Sequence, residues 1–228
     1  MLVKKPKMIL IDLDGTLVDS VPDLAYCVDV TMERVGREPW GEARVREWVG
    51  NGVERLVKRA LVGALEGEPA EADYTQALPI FMAVYADNVS GRSTLYPGVT
   101  EGLEQLKAQG YRVCCVTNKA AQFTEPLLRD MGIAHQFELI VSGDTTAKKK
   151  PDPMPLLYAA ERLGIDPADS LMVGDSQNDV TAARQAGFQV VCLPYGYNHG
   201  QDIRLAAPDA VIERLDELPA LLAPLAGG

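Results

Sequence analysis

Met8 to Ile11 form an apolar run without alternation, the pattern of a strand buried on both faces of a parallel sheet. Asp12 ends the run, and Asp14, Gly15 and Thr16 follow it. From there to about Val113 strand signals are absent and apolar positions recur at helical spacing. The spacing predicts a helix capped by Asp19 or Ser20, with Pro22 in its first turn, running through Glu33 to a stop at Gly36. Further helices are predicted over 42–49, 53–65 and 73–88, with Trp40, Trp48 and Phe81 in the core of this all-helical insert. Gly91 and Pro97-Gly98 mark the return to the main body.

Beyond Thr100 the periods alternate. Strands predicted over 112–117, 139–142, 170–174 and 189–193 are interleaved with helices over 100–109, 122–131, 155–163 and 179–186, each helix followed by glycine. Pro126 fits its helix only near the first turns. A short strand at 210–212 and a closing helix complete the chain. Repeated strand and helix units of this kind define an α/β fold, a parallel sheet with helices on both faces.

Ligands bind such sheets beyond the carboxyl ends of the strands. Polar residues stand at those points: Asp12 and Asp14 after the first strand, Thr117-Asn118 after the second, Lys150-Pro151 after the third, and Asp175 to Asp179 after the fourth. Two carboxylates at an apolar strand end are costly unless they are paired, hydrogen-bonded or metal-bound. Gly15 and Thr16 add a sharp turn with exposed amides and a hydroxyl, which suits a phosphate and a divalent cation. The pattern matches a calcium loop of the EF-hand kind only weakly, because that loop's further oxygen ligands and closing glutamate are missing.

Charge narrows the partners. With 22 Lys plus Arg against 32 Asp plus Glu, the 228-residue chain carries a net charge of −10, which disfavours nucleic acid and anionic membranes. The same field repels an anionic substrate, so local cations, with Mg²⁺ as the obvious agent, must reverse it at the site. Cys27, Cys114, Cys115 and Cys192 lack metal-ligand spacing and read as reduced thiols, and His135 and His199 as structural. The basic start, Met1 to Lys7, precedes an apolar segment too short and too acidic for a signal peptide or membrane span, so a cytoplasmic protein is expected.

Asp12-Leu13-Asp14-Gly15-Thr16-Leu17-Val18-Asp19-Ser20 resembles the signature of the haloacid dehalogenase superfamily of phosphatases, and the later strand ends match that superfamily's motifs in order. The resemblance implies a Rossmann-like three-layer core of residues 1–18 and 93–228, with a small all-helical cap domain, 19–92, inserted after the first strand. It also implies that Asp12 is a nucleophile forming an aspartyl-phosphate, and that Asp14 protonates the leaving alkoxide and then takes a proton from water. Mg²⁺ would be held by Asp12, the Asp14 backbone carbonyl and Asp175, with Asp179 and Thr16 behind these ligands. The Thr117 hydroxyl and the Asn118 amide would hold the phosphoryl oxygens. Lys150, chosen over the solvated Lys148 and Lys149 because it begins Lys-Pro-x-Pro, would supply a cation for Asp12 and the phosphate.

An acid at position 14 separates phosphate hydrolysis from the dehalogenase branch. The stretch from Val49 to Leu56, the run from Gly174 to Ala183 and the Tyr195-Gly196-Tyr197-Asn198 loop resemble the bacterial phosphoglycolate phosphatase family over nearly the full length. This implies 2-phosphoglycolate, or another small-molecule phosphate, as substrate, acted on by a monomer or homodimer. The glycine-flanked Asn51 loop could offer amides to the substrate carboxylate, with Arg55 as a nearby cation, and it reads equally as a plain turn between helices. Pyrophosphate, sugar phosphates and N-acetylmuramate 6-phosphate remain alternatives, as do a phosphomutase and a phosphorylatable receiver module.

Overall fold

The computed structural model describes residues 2–225. Six parallel strands form the central sheet: β1 (Met8–Ile11), β4 (Arg112–Val116), β5 (Leu139–Val141), β6 (Ser170–Gly174), β7 (Gln189–Cys192) and β8 (Ala210–Val211), in the order β5-β4-β1-β6-β7-β8. β1 is central, pairing Met8 with Arg112 on one side and with Ser170 on the other. Its unbroken apolar sequence follows from that position. Ile9 and Ile11 enter one core layer, while Met8 and Leu10 enter the other. Helices α5 (Val99–Ala108) and α6 (Ala121–Asp130) cover the first face, and α7 (Met154–Leu163) and α8 (Gln177–Ala186) the second.

The strand order reverses around β1, so the carboxyl ends of β4, β1 and β6 lie side by side and leave one crevice above them. Four helices cover it: α1 (Val21–Arg34), α2 (Glu42–Arg46), α3 (Val53–Val62) and α4 (Glu71–Ala86). Trp48 and Phe81 are buried in this cap, and Trp40, half exposed, meets Trp48 edge-on with ring centroids 5.3 Å apart. The entering and leaving strands of the cap form an antiparallel pair, β2 (Val18–Asp19) with β3 (Thr94–Leu95), which the sequence did not announce because each is two residues long. Fully buried Asp23 then ties the two crossings together, accepting from the Ser93 hydroxyl at 2.6 Å and from the backbone N–H groups of Arg92 and Ser93.

Some predicted ends differ. α3 stops at Val62, three residues short of the expected end, because Gly63 takes the left-handed conformation. Ser20 occupies the N-cap of α1 without capping it. Its hydroxyl is committed to Asp14, and the Tyr197 hydroxyl takes over the cap by accepting from the Ser20 and Val21 N–H groups at 3.0 and 3.3 Å. Pro126 lies mid-helix in α6, and α4 carries Pro79 as well. Among the described residues, no helix is long and apolar enough to cross a membrane.

Candidate active site

Asp12 follows directly from β1 and is buried. The chain then turns sharply: the Leu17 and Val18 N–H groups both donate to the Leu13 carbonyl, and Gly15 holds φ at +87°. Glycine is required here, because a Cβ at position 15 would lie 2.4 Å from Asp175 Oδ2. This close approach lets Thr16 Oγ1 donate to Asp175 Oδ1 at 2.6 Å. The other Asp175 oxygen accepts from the Tyr197 N–H at 2.5 Å.

Asp175 leaves β6, and two residues later α8 begins with a capping box in which Asp179 Oδ2 accepts from the Ser176 N–H and hydroxyl. Asp179 Oδ1 takes Lys150 Nζ at 2.7 Å. Gly174 makes room, since a Cβ there would meet Asp179 Cγ at 2.3 Å. Lys150 comes from the loop after β5 and spends its three N–H groups on Asp12 Oδ1 at 2.9 Å, Asp179 Oδ1 and the Val116 carbonyl at 2.8 Å. The sequence-predicted Asp12, Thr16, Lys150, Asp175 and Asp179 are therefore one buried network.

Asp14 faces another way. Its Oδ1 accepts from Ser20 Oγ at 2.5 Å and pairs with Lys119 Nζ at 2.9 Å. Lys119, buried and next in sequence to Asn118, was missed by the sequence reading, although a lysine one residue past a strand-end Thr-Asn pair is a visible signal. Thr117 Oγ1 accepts from the Lys119 N–H at 3.1 Å. The Asn118 carboxamide is committed: Oδ1 accepts from the Lys150 N–H, while Nδ2 donates to the carbonyls of Lys150 and Gly50.

The Gly50 contact closes the cap over the core, and Asn178 Nδ2 donates to the same carbonyl at 3.3 Å. Beneath lies a cavity of about 30 Å³, with Asp12, Asp14, Thr117, Asn118 and Lys119 as its floor. Its roof is Leu24, Val49, Val53 and Leu56 with the two loop glycines, Gly50 and Gly52. Asn51 and Arg55 do not reach it. They line an outer groove, where Arg55 is held by Glu66 at 2.7 Å and Glu68 at 2.9 Å. Arg55, expected near the substrate, stands instead in this groove: the loop 65–68 presents two carboxylates to its guanidinium. Asn51 Oδ1 is buried without a partner among the described residues.

Oxygens of Asp12, Asp175 and Asp179 lie within 4.8 Å of one another, all three residues buried. Burial pushes the Asp12 carboxyl up to about 7, with Asp179 and Asp14 adding to the rise and Lys150 opposing it. Burial, with Asp12 and Asp179 beside it, holds Asp175 well above the usual carboxylate range. Three carboxylates, Asp12, Asp175 and Asp179, once ionised, face one ammonium group, Lys150. The surplus of two negative charges on an all-oxygen donor set fits a divalent cation.

A pH effect follows. Asp12 binds its proton more tightly folded than unfolded, so without a cation its contribution to stability is fully present below about pH 4 and is lost as pH rises through about 7. A divalent cation replaces the proton. Its stabilisation should therefore be greater at pH 8 than at pH 5.5, by at least about 3 °C in Tm, in thermal unfolding with Mg²⁺ against chelator. Equal shifts at both pH values would refute the linkage.

A model of the haloacid dehalogenase-like hydrolases matches residues 6–187. A phosphoglycolate phosphatase of Nitrosococcus oceani is 63% identical over 99% of this chain and 100% of its own. One from Nitrosospira multiformis is 46% identical, with 95% of each chain covered. A crystal structure described as a predicted phosphoglycolate phosphatase from Haemophilus somnus 129pt superposes with a TM-score of 0.90 at 39% identity, covering 95% of this chain and 98% of that one. The chain belongs to the haloacid dehalogenase-like hydrolase family. Within it the full-length likeness is to phosphoglycolate phosphatases, and the chain is a phosphatase.

Proposed function

We propose that this enzyme hydrolyses 2-phosphoglycolate to glycolate and phosphate with Mg²⁺ as cofactor, through an aspartyl-phosphate on Asp12. The observation that carries the reading is the buried carboxylate cluster with its surplus of two negative charges, set under a cap at the junction of three strand ends. Mg²⁺ held by Asp12 and Asp175, with the Asp14 backbone carbonyl, would supply the positive charge that draws the phosphoryl oxygens toward an anionic nucleophile. Lys150 has no N–H to spare for them, since it holds Asp12, Asp179 and the Val116 carbonyl. The Thr117 hydroxyl and the Asn118 backbone N–H remain as donors to the phosphoryl group.

An Asp12 oxygen attacks phosphorus and the bond to the ester oxygen breaks. Asp14 gives its proton to the departing glycolate oxygen, then takes one from the water that attacks the phosphorus and releases phosphate, so Asp12 and Asp14 both return to their starting states. The helical segment 19–92 is read as a cap that moves on the core, 1–18 and 93–228, admitting substrate and then excluding water. The negative chain carries no feature favouring nucleic acid or membrane, and a cytoplasmic location fits.

The test is phosphate release, with Mg²⁺ and with chelator, from 2-phosphoglycolate, pyrophosphate, glucose phosphates and N-acetylmuramate 6-phosphate. A Mg²⁺-dependent preference of at least about 100-fold in kcat/KM for 2-phosphoglycolate is expected. Preference for another ester would discard the substrate and keep the chemistry.

A further inference from the structure

Lys119 is the cation of the cavity floor that the phosphoryl chemistry leaves unspent. Its Nζ lies 2.9 Å from Asp14 Oδ1 and 2.5 Å from Tyr85 Oη, a hydroxyl supplied by α4 of the cap. An ammonium has three N–H groups, and those contacts use two. Lys119 borders the cavity directly, and the cap side chains facing it, Leu24, Val49, Val53 and Leu56, are apolar, with only the backbone of Gly50 and Gly52 beside them.

That wall decides what the non-phosphate end of a substrate can be. Sugar hydroxyls set against four aliphatic side chains would lose their hydrogen bonds to water and find no side-chain partner on that wall. A compact anion beside the ester carbon would find the third N–H of a desolvated ammonium, a charge-assisted bond in a low-dielectric space. Arg55 cannot serve, because Glu66 and Glu68 hold it in the outer groove.

We propose that Lys119 is the specificity-determining residue of this site, its ammonium binding a carboxylate on the carbon next to the ester oxygen. The substrate class is then the short phosphomonoesters of 2-hydroxycarboxylic acids. The assignment rests on the phosphatase reading above and names the group that selects within it. Tyr85 steers the ammonium from the cap, so the cation reaches its place when the cap is closed.

The experiment compares kcat/KM for 2-phosphoglycolate and for ethyl phosphate, which lacks the carboxylate, in the Mg²⁺-loaded wild type and Lys119→Met. The wild type is expected to prefer 2-phosphoglycolate by at least about 100-fold, and Lys119→Met to bring the ratio to within about threefold of unity, most of the loss in KM. A loss shared equally by both substrates overturns the proposal, since Lys119 would then act only through Asp14. A wild type active on both esters without preference overturns it too, while one inactive on every ester overturns the phosphatase reading instead. Should Lys119→Met lack a cooperative thermal transition, Lys119→Arg reads the same ratio. A fall of at least about fivefold supports the assignment, and an unchanged ratio sinks it.

Discussion

Asp12→Asn is expected to lower phosphate release by about 10⁴-fold or more while leaving the fold intact. The substitution keeps shape and removes the charge of the oxygen proposed as nucleophile. Its structural cost is small for a specific reason: Lys150, which loses one anionic partner, retains Asp179 Oδ1 and the Val116 carbonyl. The carboxylate removed is one that burial and its acidic neighbours disfavour. In chelator, therefore, the variant should melt at or above the wild-type temperature at pH 8, although it is nearly inactive in Mg²⁺. Substantial turnover would overturn the nucleophile assignment, and a large fall in Tm would overturn the electrostatic account of the cluster.

Lys150→Met should have the opposite signature. Its ammonium is the only basic group within bonding distance of both Asp12 and Asp179 among the described residues, and it is buried with them. Without it three carboxylates stand within 4.8 Å of one another with no compensating charge. Removing one partner of a buried ion pair costs about 3–5 kcal/mol, which for a chain of this size is a fall of roughly 10 °C in Tm. Activity should fall at least about 10³-fold, because Asp12 loses the contact that orients it. Mg²⁺ should recover part of the stability and little of the activity. Thermal unfolding with and without Mg²⁺ beside phosphate-release kinetics separates the two effects, and a Tm within 2 °C of wild type, below roughly 1 kcal/mol, would refute the charge argument.

The two expectations differ because of how the cluster is wired. Asp12 is one of several acceptors around Lys150, whereas Lys150 is the common donor to two carboxylates and a carbonyl.

Much of this was legible in the chain. The unalternating run Met8 to Ile11 reads as a strand buried on both faces, and Asp12, Thr117, Lys150 and Asp175 could be placed at strand ends because strand periodicity and glycine stops are local properties. The helical insert was legible for the same reason. The two-residue β2 and β3 were not, since a pair that short has no period and exists only because the chain ends of the cap are brought together.

Roles that depend on a partner far away in sequence were out of reach. Ser20 reads as a helix cap, yet the turn at Gly15 brings Asp14 within 2.5 Å of its hydroxyl, and Tyr197 caps α1 from across the crevice. Arg55 reads as a free cation near a glycine loop, and Glu66 and Glu68 claim it. Lys119 reads as an ordinary residue after Asn118, and only folding sets it between Asp14 and Tyr85. The sequence by itself determined which residue types stand at the ends of which strands, because backbone period and turn chemistry act over a few residues. The tertiary structure alone decided which charges meet: a buried ion pair forms with whatever side chain packing brings within about 3 Å, and packing joins positions as distant as Asp12 and Lys150.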